Sequence, residues 1–276
     1  MEPTGQHYAT AVKAVSPHIT TWQQFRSFTD GRPGKLLKRL HLFPNSILVT
    51  GCQRSGTTML SEIFLGSEGV VDFRFGKDSE LDGALILAGL VEHEPAGRYC
   101  FQTTYLNEHY EEYFEQSGFR MVWLLRNPAS VICSMLYNWK SDALERLFAG
   151  CGVTAISGID RLQFRLLGAH SLSLLKRACW AYNGKMRQLF QLRRALNPAA
   201  LAVLDYDELV VRKAALLPRL YSFLDLAYRA EYPDQIRTGS LNKKSRLSEA
   251  QSAIVEQTCG PVYRQASALK TISISV

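Results

Sequence analysis

Short runs of apolar residues alternate with longer segments whose apolar positions recur every three or four residues along most of this 276-residue chain. Three of the apolar runs are continuous enough to predict buried strands, namely 46–50 (SILVT), 119–126 (FRMVWLLR) and 199–209 (AALAVLDYDEL), the last of which passes into a helix. Residues 69–75 and 98–104 are predicted to form two shorter strands. Strands that are apolar on both sides are typical of a parallel sheet with helices on both faces.

Helical segments are predicted between these strands. They are expected at Thr57 to about Leu65, Leu81 to Glu92, Tyr105 to Gln116, from Pro128 onwards, Ile159 to Leu196, and after a basic loop that begins at 237. Residues 1–45 are expected to form an arm or a short helix, and residues 46–276 a single domain. The alternation of strands and helices predicts an α/β fold with a parallel central sheet flanked by helices, whose ligands bind at the carboxyl ends of the strands.

The composition fits a globular protein and points to an anionic ligand. Hydrophobic residues make up 46% of the chain and charged residues 21%, which is enough apolar content for one full core. The formal net charge of +7 favours an anion but does not distinguish a nucleotide from a nucleic acid, a sulfated glycan or a membrane surface. Because no basic stripe alternates with aromatic residues, nucleic acid is not an expected partner.

The placement of cysteines and the hydropathy pattern indicate a cytoplasmic protein. The six cysteines form no C-x-x-C pair and have no histidine at metal-binding spacing, so we expect buried, reduced thiols. The first residues (MEPTGQHYATAVKAV) lack the apolar core of a signal peptide. The longest apolar run, Leu81 to Val91, includes Asp82 and is too short to span a bilayer.

The segment SILVTGCQRSGTTMLSEIF follows the spacing of a phosphate-binding loop. Gly51 and Gly56 match the glycines of G-x-x-x-x-G-K-[ST], but Thr57 stands where that pattern has lysine. Glycines at this spacing also occur in ordinary turns between a strand and a helix. Here, however, Arg54 supplies a cation within the loop, and the helix start offers free N–H groups and the positive end of the helix dipole. We therefore expect an anion site whose positive charge lies in the loop.

A second anion-binding feature is predicted where the strand at 119–126 ends. Arg126 stands there, whereas a P-loop kinase places a magnesium-binding aspartate at a strand end. Ser130 and Ser134 follow at helical spacing, on one face of the next helix. Alone, this pattern fits a salt-bridged arginine and serines in a first helical turn. Combined with the first loop, it predicts a second phosphate-binding position.

Together, CQRSGTT and LLRNPASVICS resemble two motifs of the sulfotransferases that use 3′-phosphoadenosine 5′-phosphosulfate (PAPS). In that family the first motif cradles the 5′-phosphosulfate, and an arginine followed by a serine in the second motif clamps the 3′-phosphate. LDYDELV resembles the family's Y-E-D-L element, and LNKKSRLS resembles in position the segment that closes over the 3′-phosphate. The resemblance runs from about Ser46 to Ser248. It implies a P-loop NTPase-like sulfotransferase fold, PAPS as donor, 3′-phosphoadenosine 5′-phosphate (PAP) as product, and no metal.

The resemblance also implies roles for residues of this chain. Arg54 would hold the bridging oxygen and the leaving phosphate and so take part in catalysis. The other residues expected to bind the donor are Ser55, Gly56, Thr57 and Thr58 at the 5′-phosphate, Arg126 and Ser134 at the 3′-phosphate, Tyr206 at the adenine, and Lys243 and Lys244 as closing cations. Met59 stands where some members have an aromatic residue that stacks on adenine.

The catalytic base stays open, because the chain matches neither base of the family. The place of the K-T-H element of cytosolic members is held by Gln102, Thr103 and Thr104, and that of the glutamate of tyrosylprotein-type members by Arg74 or Phe75. Nearby acidic and imidazole side chains are Asp72, Asp78, Glu80 and His93. We favour Asp78 or Glu80 as catalytic because the loop that carries them should face the sulfate, although either can cap the following helix.

The acceptor is expected to be a hydroxyl or amine of a small molecule, a lipid or a carbohydrate. The segments between the motifs, Phe73 to Cys100 and Tyr137 to Leu167, are expected to bind it. Their aromatic side chains are candidates for an apolar acceptor pocket, namely Tyr137, Trp139 and Phe148. Two alternatives are a P-loop kinase of a small metabolite, which requires the missing lysine and aspartate, and a non-catalytic PAP- or nucleotide-binding protein.

Overall fold

A computed structural model of the chain describes residues 13–14, 19–30, 35–236 and 246–273. The described strands are β1 (Lys13–Ala14), β2 (Ile47–Gly51), β3 (Val91–Glu92), β4 (Cys100–Gln102), β5 (Arg120–Leu125) and β6 (Leu201–Asp205). Four of them form one parallel sheet in the order β4-β2-β5-β6, and β1 pairs with β3 in a separate antiparallel ladder. The prediction of an α/β fold with a parallel central sheet is confirmed.

The helices surround this sheet and are listed in chain order. They are α1 (Trp22–Thr29), α2 (Thr57–Leu65), α3 (Ser79–Leu87), α4 (Pro128–Asn138), α5 (Ser141–Leu147), α6 (Val153–Ala155), α7 (Gly158–Leu167), α8 (Leu174–Ala195), α9 (Tyr206–Val211), α10 (Lys213–Leu224) and α11 (Glu249–Ser267). Short 3-10 segments cover Leu40–Leu42, Leu106–Glu115, Ala169–Ser171, Pro198–Ala200 and Tyr232–Gln235, and a π-helical turn covers Phe148–Gly152. Within the described residues, no helix is both long and apolar enough to cross a membrane.

The sheet is the centre of the hydrophobic core. Every residue of β2 and β6 is buried, as are five consecutive residues of β5, because helices cover both faces of the sheet. In register, Val49 of β2 lies beside Val122 of β5 and Gln102 of β4. All four strands are parallel, so their carboxyl ends meet at one edge, where the segments after Gly51, Gln102, Leu125 and Asp205 come together.

Three helices form a layer against this core. α8 packs against α4 and α11, and α4 also contacts α11. α2 and α3 contact β4, while α9 follows directly from β6 and contacts α10. The expectation of reduced thiols agrees with this packing, because all six cysteines are buried without forming a disulfide.

Two of the predicted elements are wrong. Residues 69–75 do not form a strand, because the backbone pairing is limited to an isolated bridge between Val70 and Arg98; the exposed Asp72 and Arg74 side chains pair with each other. The single helix expected from Ile159 to Leu196 is two helices, α7 and α8. Gly168, with a φ of 78°, ends α7, and the Ser173 side chain accepts a hydrogen bond from the Lys176 N–H at the start of α8.

Other boundaries shift by smaller amounts. The helix predicted from Leu81 to Glu92 begins earlier, at Ser79, because Asp78 caps it, and its last residues form β3 instead. The segment from Tyr105 to Gln116 is a 3-10 segment with a kink at His109, not an α-helix. The division at residue 45 between an arm and a domain stays a prediction.

A close backbone contact at Gly184 in the core yields a test of the fold. Gly184 of α8 lies so close to the Cys151 backbone that a Cβ there would overlap the carbonyl group. A glycine-to-alanine change inside a helix usually stabilises the protein. Because the new Cβ has no space here, Gly184→Ala should instead lower the free energy of unfolding by about 1–3 kcal/mol. Gly66→Ala is the matched control, because its Cβ would be in ordinary contact; it should change that free energy by less than about 1 kcal/mol. Equal effects of the two changes in urea unfolding would contradict this packing.

Candidate active site at the carboxyl edge of the sheet

A cavity of about 610 Å³ opens where the strands β2 and β4 end. Its lining includes Arg54, Thr57 and Thr58 from the loop and helix after β2, and Gln102, Thr104 and Tyr105 from the end of β4. Ligands of open parallel sheets bind at this edge. The cavity is therefore the candidate active site.

The loop between β2 and α2 is held in a tight turn by its own hydrogen bonds. Both the N–H and the Oγ of Ser55 donate to the Cys52 carbonyl, at 3.1 and 2.6 Å. Gly56 has a φ of 99°, and a Cβ at this position would overlap the Tyr206 ring. Among the residues that the structure describes, no side chain caps the start of α2, so its first N–H groups are available to a ligand. This arrangement suits an anion at the helix start.

Arg54 and the second motif lie in direct contact. The Arg54 Nε donates to the Ser134 Oγ at 3.0 Å, and the Arg126 Nη1 donates to the Arg54 carbonyl oxygen at 3.1 Å. Burial lowers the pKa of Arg54, and the charge of Arg126 lowers it further. Two arginines held this close to each other favour an anion that would screen their repulsion.

Arg126 is held in place from several sides. Its guanidinium carbon lies 4.3 Å from the centre of the Tyr206 ring, its Nε lies 3.6 Å from an Asp207 carboxylate oxygen, and its side chain is only 3% exposed. Its carbonyl accepts a hydrogen bond from the Tyr182 hydroxyl. The structure thus brings together Arg54, Arg126, Ser134 and Tyr206, which the sequence analysis selected from three separate motifs.

Glu80 is a buried carboxylate on the cavity wall. One of its oxygens accepts a hydrogen bond from Gln102 Nε2 at 2.6 Å and the other accepts from the Tyr105 N–H at 2.7 Å. Burial raises the pKa of Glu80 to about 8, although the Tyr105 N–H and the charge of Lys185 act in the opposite direction. A carboxylic acid with this pKa changes its protonation state in the range where a general base is effective.

Asp78, the other favoured base, is engaged in structure. Its Oδ1 accepts hydrogen bonds from the N–H groups of Glu80 and Leu81, which caps α3. Its Oδ2 accepts from the Trp22 Nε1 at 2.9 Å. Asp78 therefore positions Glu80 and Trp22, and Glu80 is the better candidate for proton transfer.

Gln102 links Glu80 to the anion loop. The amide nitrogen of Gln102, which donates to Glu80, also lies 3.3 Å from the Thr57 Oγ1. Its carbonyl oxygen accepts a hydrogen bond from the Ser61 Oγ at 3.0 Å. The Thr104 Oγ1 also donates to the Thr57 Oγ1, at 3.1 Å. The segment that holds the place of the K-T-H element thus connects the candidate base to the start of α2.

A buried lysine lies behind this network. Lys185 of α8 is fully buried, and its Nζ donates to the Thr104 carbonyl oxygen at 3.0 Å. The same peptide unit donates its N–H, that of Tyr105, to Glu80. One peptide therefore lies between a cation and a carboxylate, and each charge has a hydrogen-bonding partner despite its burial.

Lys185 is not among the residues expected from the sequence, although its position on the apolar face of a helix is a signal of a buried charge. The residues at helical spacing before and after it, Ala178, Tyr182 and Leu189, are apolar and buried. A lysine on the apolar face of an amphipathic helix marks a buried charge that needs a partner. Trp22 was missed without any such signal, because it lies in the segment expected to be an arm.

Several other candidates lie away from the cavity. Asp72 pairs with Arg74, and His93 is buried beside the Tyr99 hydroxyl outside the cavity lining. Of the three aromatics expected to line an acceptor pocket, only Trp139 does so, because Phe148 is in the core and Tyr137 is exposed beneath Arg246. Lys243 and Lys244 lie outside the described residues.

Comparison with solved structures agrees with this architecture. The structure of a sulfotransferase from Alicyclobacillus acidocaldarius matches with a TM-score of 0.50 and 13% identity, over 84% of this chain and 97% of that one. The chain has the sulfotransferase fold. The expectation of that fold, drawn from the resemblance of the motifs, is confirmed.

Further structures with this fold show a similar level of likeness. The sulfotransferase domain of the curacin biosynthetic pathway has a TM-score of 0.49 and 12% identity, over 84% of this chain and 99% of that one. Mouse sulfotransferase SULT7A1, complexed with PAP, has a TM-score of 0.48 and 12% identity, over 85% of this chain and 91% of that one. No protein-family model matches the sequence, and no curated protein matches it.

The raised pKa of Glu80 predicts a pH-dependent effect on stability. The folded protein holds the Glu80 proton up to a pH of about 8, whereas the unfolded chain loses it near the ordinary value of 4.5. Stability from this group is therefore lost as the pH rises between these two values. Glu80→Gln should gain stability relative to the unchanged protein over this range, by more than about 1 kcal/mol, or roughly 2–4 °C in Tm.

The measurement is thermal unfolding of both proteins at pH 5 and at pH 8.5. The change in their Tm difference between the two pH values is the readout, because it excludes any constant cost of the amide. Glu68→Gln, an exposed carboxylate paired with Arg229, is the control and should give a constant difference. A constant difference for Glu80→Gln as well would contradict the raised pKa.

Proposed function

We propose that this protein is a sulfotransferase that moves the sulfuryl group of PAPS to a hydroxyl or amine of an acceptor. The observation that carries the proposal is the contact between the two motifs, in which Arg54 donates to Ser134 and accepts from Arg126. Arg54 lines the cavity beside the start of α2, and the buried Arg126, which is outside the cavity lining, contacts Arg54 directly; this contact supports one site for both cations. A donor with separate 5′ and 3′ anionic groups matches two adjacent cationic positions better than a single phosphate does.

The residues present fit the donor. Gly56 keeps space at the loop where any side chain would overlap Tyr206, and Thr57 and Thr58 begin the uncapped helix. In this proposal Ser55, Gly56, Thr57 and Thr58 bind the 5′-phosphosulfate end, and Arg126 and Ser134 bind the 3′-phosphate. Tyr206 at the adenine, and Lys243 and Lys244 as closing cations, stay predictions from the resemblance. PAPS supplies an activated sulfuryl group.

Glu80 is proposed as the general base. It lines the same cavity as Arg54, and its deprotonated form, which accumulates as the pH approaches its pKa of about 8, can take a proton from an acceptor hydroxyl. Arg54 would stabilise the charge that develops on the leaving phosphate. Lys185 holds the peptide between Thr104 and Tyr105, whose N–H donates to Glu80. The Gln102 amide donates to Glu80 directly.

The alternatives explain fewer of these observations. A P-loop kinase uses a lysine at the position of Thr57 and an aspartate at a strand end, where this chain has Arg126. A non-catalytic nucleotide-binding protein has no use for a buried carboxylate of raised pKa on the wall of the anion site. The proposed enzyme uses both features.

Replacement of Arg54 tests the proposed role directly. Arg54→Ala should lower the kcat/KM of sulfuryl transfer from PAPS by about 10²–10³, because it removes a cation that acts on the leaving group. Transfer of 35S from labelled PAPS to a pooled set of hydroxyl and amine acceptors is the measurement. Circular dichroism of the variant should match that of the unchanged protein.

The control is Arg229→Ala, which removes an exposed arginine paired only with surface carboxylates. It should leave transfer unchanged. Turnover by Arg54→Ala at the rate of the control would contradict the mechanism. Transfer from ATP in the presence of Mg²⁺, without transfer from PAPS, would support the kinase instead.

A further inference from the structure

The part of the cavity beyond the donor loop has polar and aromatic walls. Among the described residues that line the cavity, none is alanine, valine, leucine, isoleucine, methionine or phenylalanine. Cavities for apolar ligands are lined mainly by such side chains. The side chains that line the cavity therefore indicate which chemical class of acceptor it can bind.

One wall is a fixed set of hydrogen-bonding groups. The Glu62 carboxylate accepts from Arg74 Nη1 at 2.7 Å and from Ser79 Oγ at 2.9 Å. Arg74 is held on its other side by two bonds to Asp72, at 2.7 and 2.6 Å, and the hydrogen bond to Asp72 raises the pKa of Arg74. This wall keeps its groups in place while the side chains of Glu62 and Arg74 stay about 40% exposed.

The second wall is aromatic. The rings of Trp22 and Tyr105 stack with their centres 4.5 Å apart and 21° between their planes. The Trp22 Nε1 donates a hydrogen bond to Asp78, and Trp139 lines the same cavity as the stacked pair. Rigid rings of this kind offer a flat apolar face beside polar edges.

The lining carries charged groups of both signs. Its basic side chains are Arg54, Arg74 and Lys77, and its acidic side chains are Glu62, Asp78 and Glu80, of which Glu80 is mostly protonated at neutral pH. A cationic or polyanionic acceptor would meet a like charge on part of this wall. An uncharged acceptor meets none.

We propose that the acceptor is an uncharged polyhydroxylated compound of the sugar type, held between the Glu62–Arg74 wall and the aromatic wall formed by Trp22, Tyr105 and Trp139. This inference rests on the proposed function for the acceptor's reaction but not for its binding. A sugar ring presents hydroxyls at its edge, which match carboxylate and guanidinium groups, and a C–H face, which packs on aromatic rings.

Apolar acceptors such as sterols do not match this lining. An apolar body against the Glu62–Arg74 wall removes water from those groups without replacing its hydrogen bonds, which weakens binding. Sites built to bind hydroxyls discriminate strongly against analogues that lack them. In the proposed reaction, Glu80 takes the proton from the hydroxyl that attacks sulfur, the bond from sulfur to the donor phosphate breaks, and PAP leaves.

The test is binding of neutral methyl glycosides, with and without PAP, by saturation-transfer NMR and calorimetry. The comparison ligands are 2-naphthol, a sterol, an amino sugar and a sugar acid. The panel of glycosides should include a member that binds at least tenfold more tightly than all four comparison ligands. Trp139→Ala and Glu62→Ala should each weaken that binding at least tenfold.

Matched controls keep the test specific. Tyr137→Ala removes an exposed aromatic next to the same helix end, and Glu68→Ala removes an exposed carboxylate outside the cavity lining. Both should leave glycoside affinity unchanged. Preferential binding of 2-naphthol, the sterol or a charged sugar, or no glycoside binding at all, would overturn the inference.

The proposed function and the proposed acceptor class can be refuted independently of each other. Glycoside binding that depends on Trp139 and Glu62, without any transfer from PAPS, would support the acceptor class and refute the proposed function. Transfer from PAPS to 2-naphthol, but to no glycoside, would support the function and refute the acceptor class.

Discussion

The hydrogen bond from the Arg54 Nε to the Ser134 Oγ joins two segments that lie 80 positions apart in the chain. It forms because β2 and β5 are neighbours in a parallel sheet, which places the loop after one strand beside the helix after the other. Arg126 adds a second bond, to the carbonyl of Arg54, which has a left-handed φ of 71°. A non-glycine residue in this conformation is strained and persists because the surrounding contacts hold its backbone. The proposed donor site depends on this one residue.

The second constraint is the burial of charge behind the cavity. Lys185 and Glu80 are both almost fully buried, and the peptide between Thr104 and Tyr105 lies between them. Either charge alone would be costly in the core, but each has partners here. The arrangement keeps Glu80 at the cavity wall with a pKa near 8, which links a feature of folding stability to the proposed proton transfer. The same carboxylate that lowers stability at high pH is the one available to act as a base.

The sequence predicted the local parts of this site and missed those made by distant contacts. The helix at Thr57–Leu65 and the strands around 46–50 and 119–126 follow from apolar periodicity, and the residues proposed to bind phosphate follow from their spacing to those elements. Trp22 reaches the cavity, and Lys185 reaches the network behind it, through tertiary packing. The apolar helix face around Lys185 marks a buried charge but not its partner, and the local pattern around Gln102 does not predict its bond to Glu80. The strand predicted at 69–75 failed because its backbone pairing is limited to an isolated bridge between Val70 and Arg98, which the apolar pattern does not reveal. Glu80 was one of two candidates until its burial separated it from Asp78, which caps the helix.

The central claim is that two cationic positions around Arg54 bind the two phosphate-bearing ends of one nucleotide. Calorimetric titration with PAP, with AMP, which lacks the 3′-phosphate, and with ATP in the presence of Mg²⁺ tests it most directly. The account predicts that PAP binds at least about tenfold more tightly than AMP, without Mg²⁺, since hydrogen bonds to charged groups contribute about 1.5–3 kcal/mol. It also predicts that Ser134→Ala reduces this advantage. Equal affinities for PAP and AMP, or tight binding of ATP only with Mg²⁺, would contradict it.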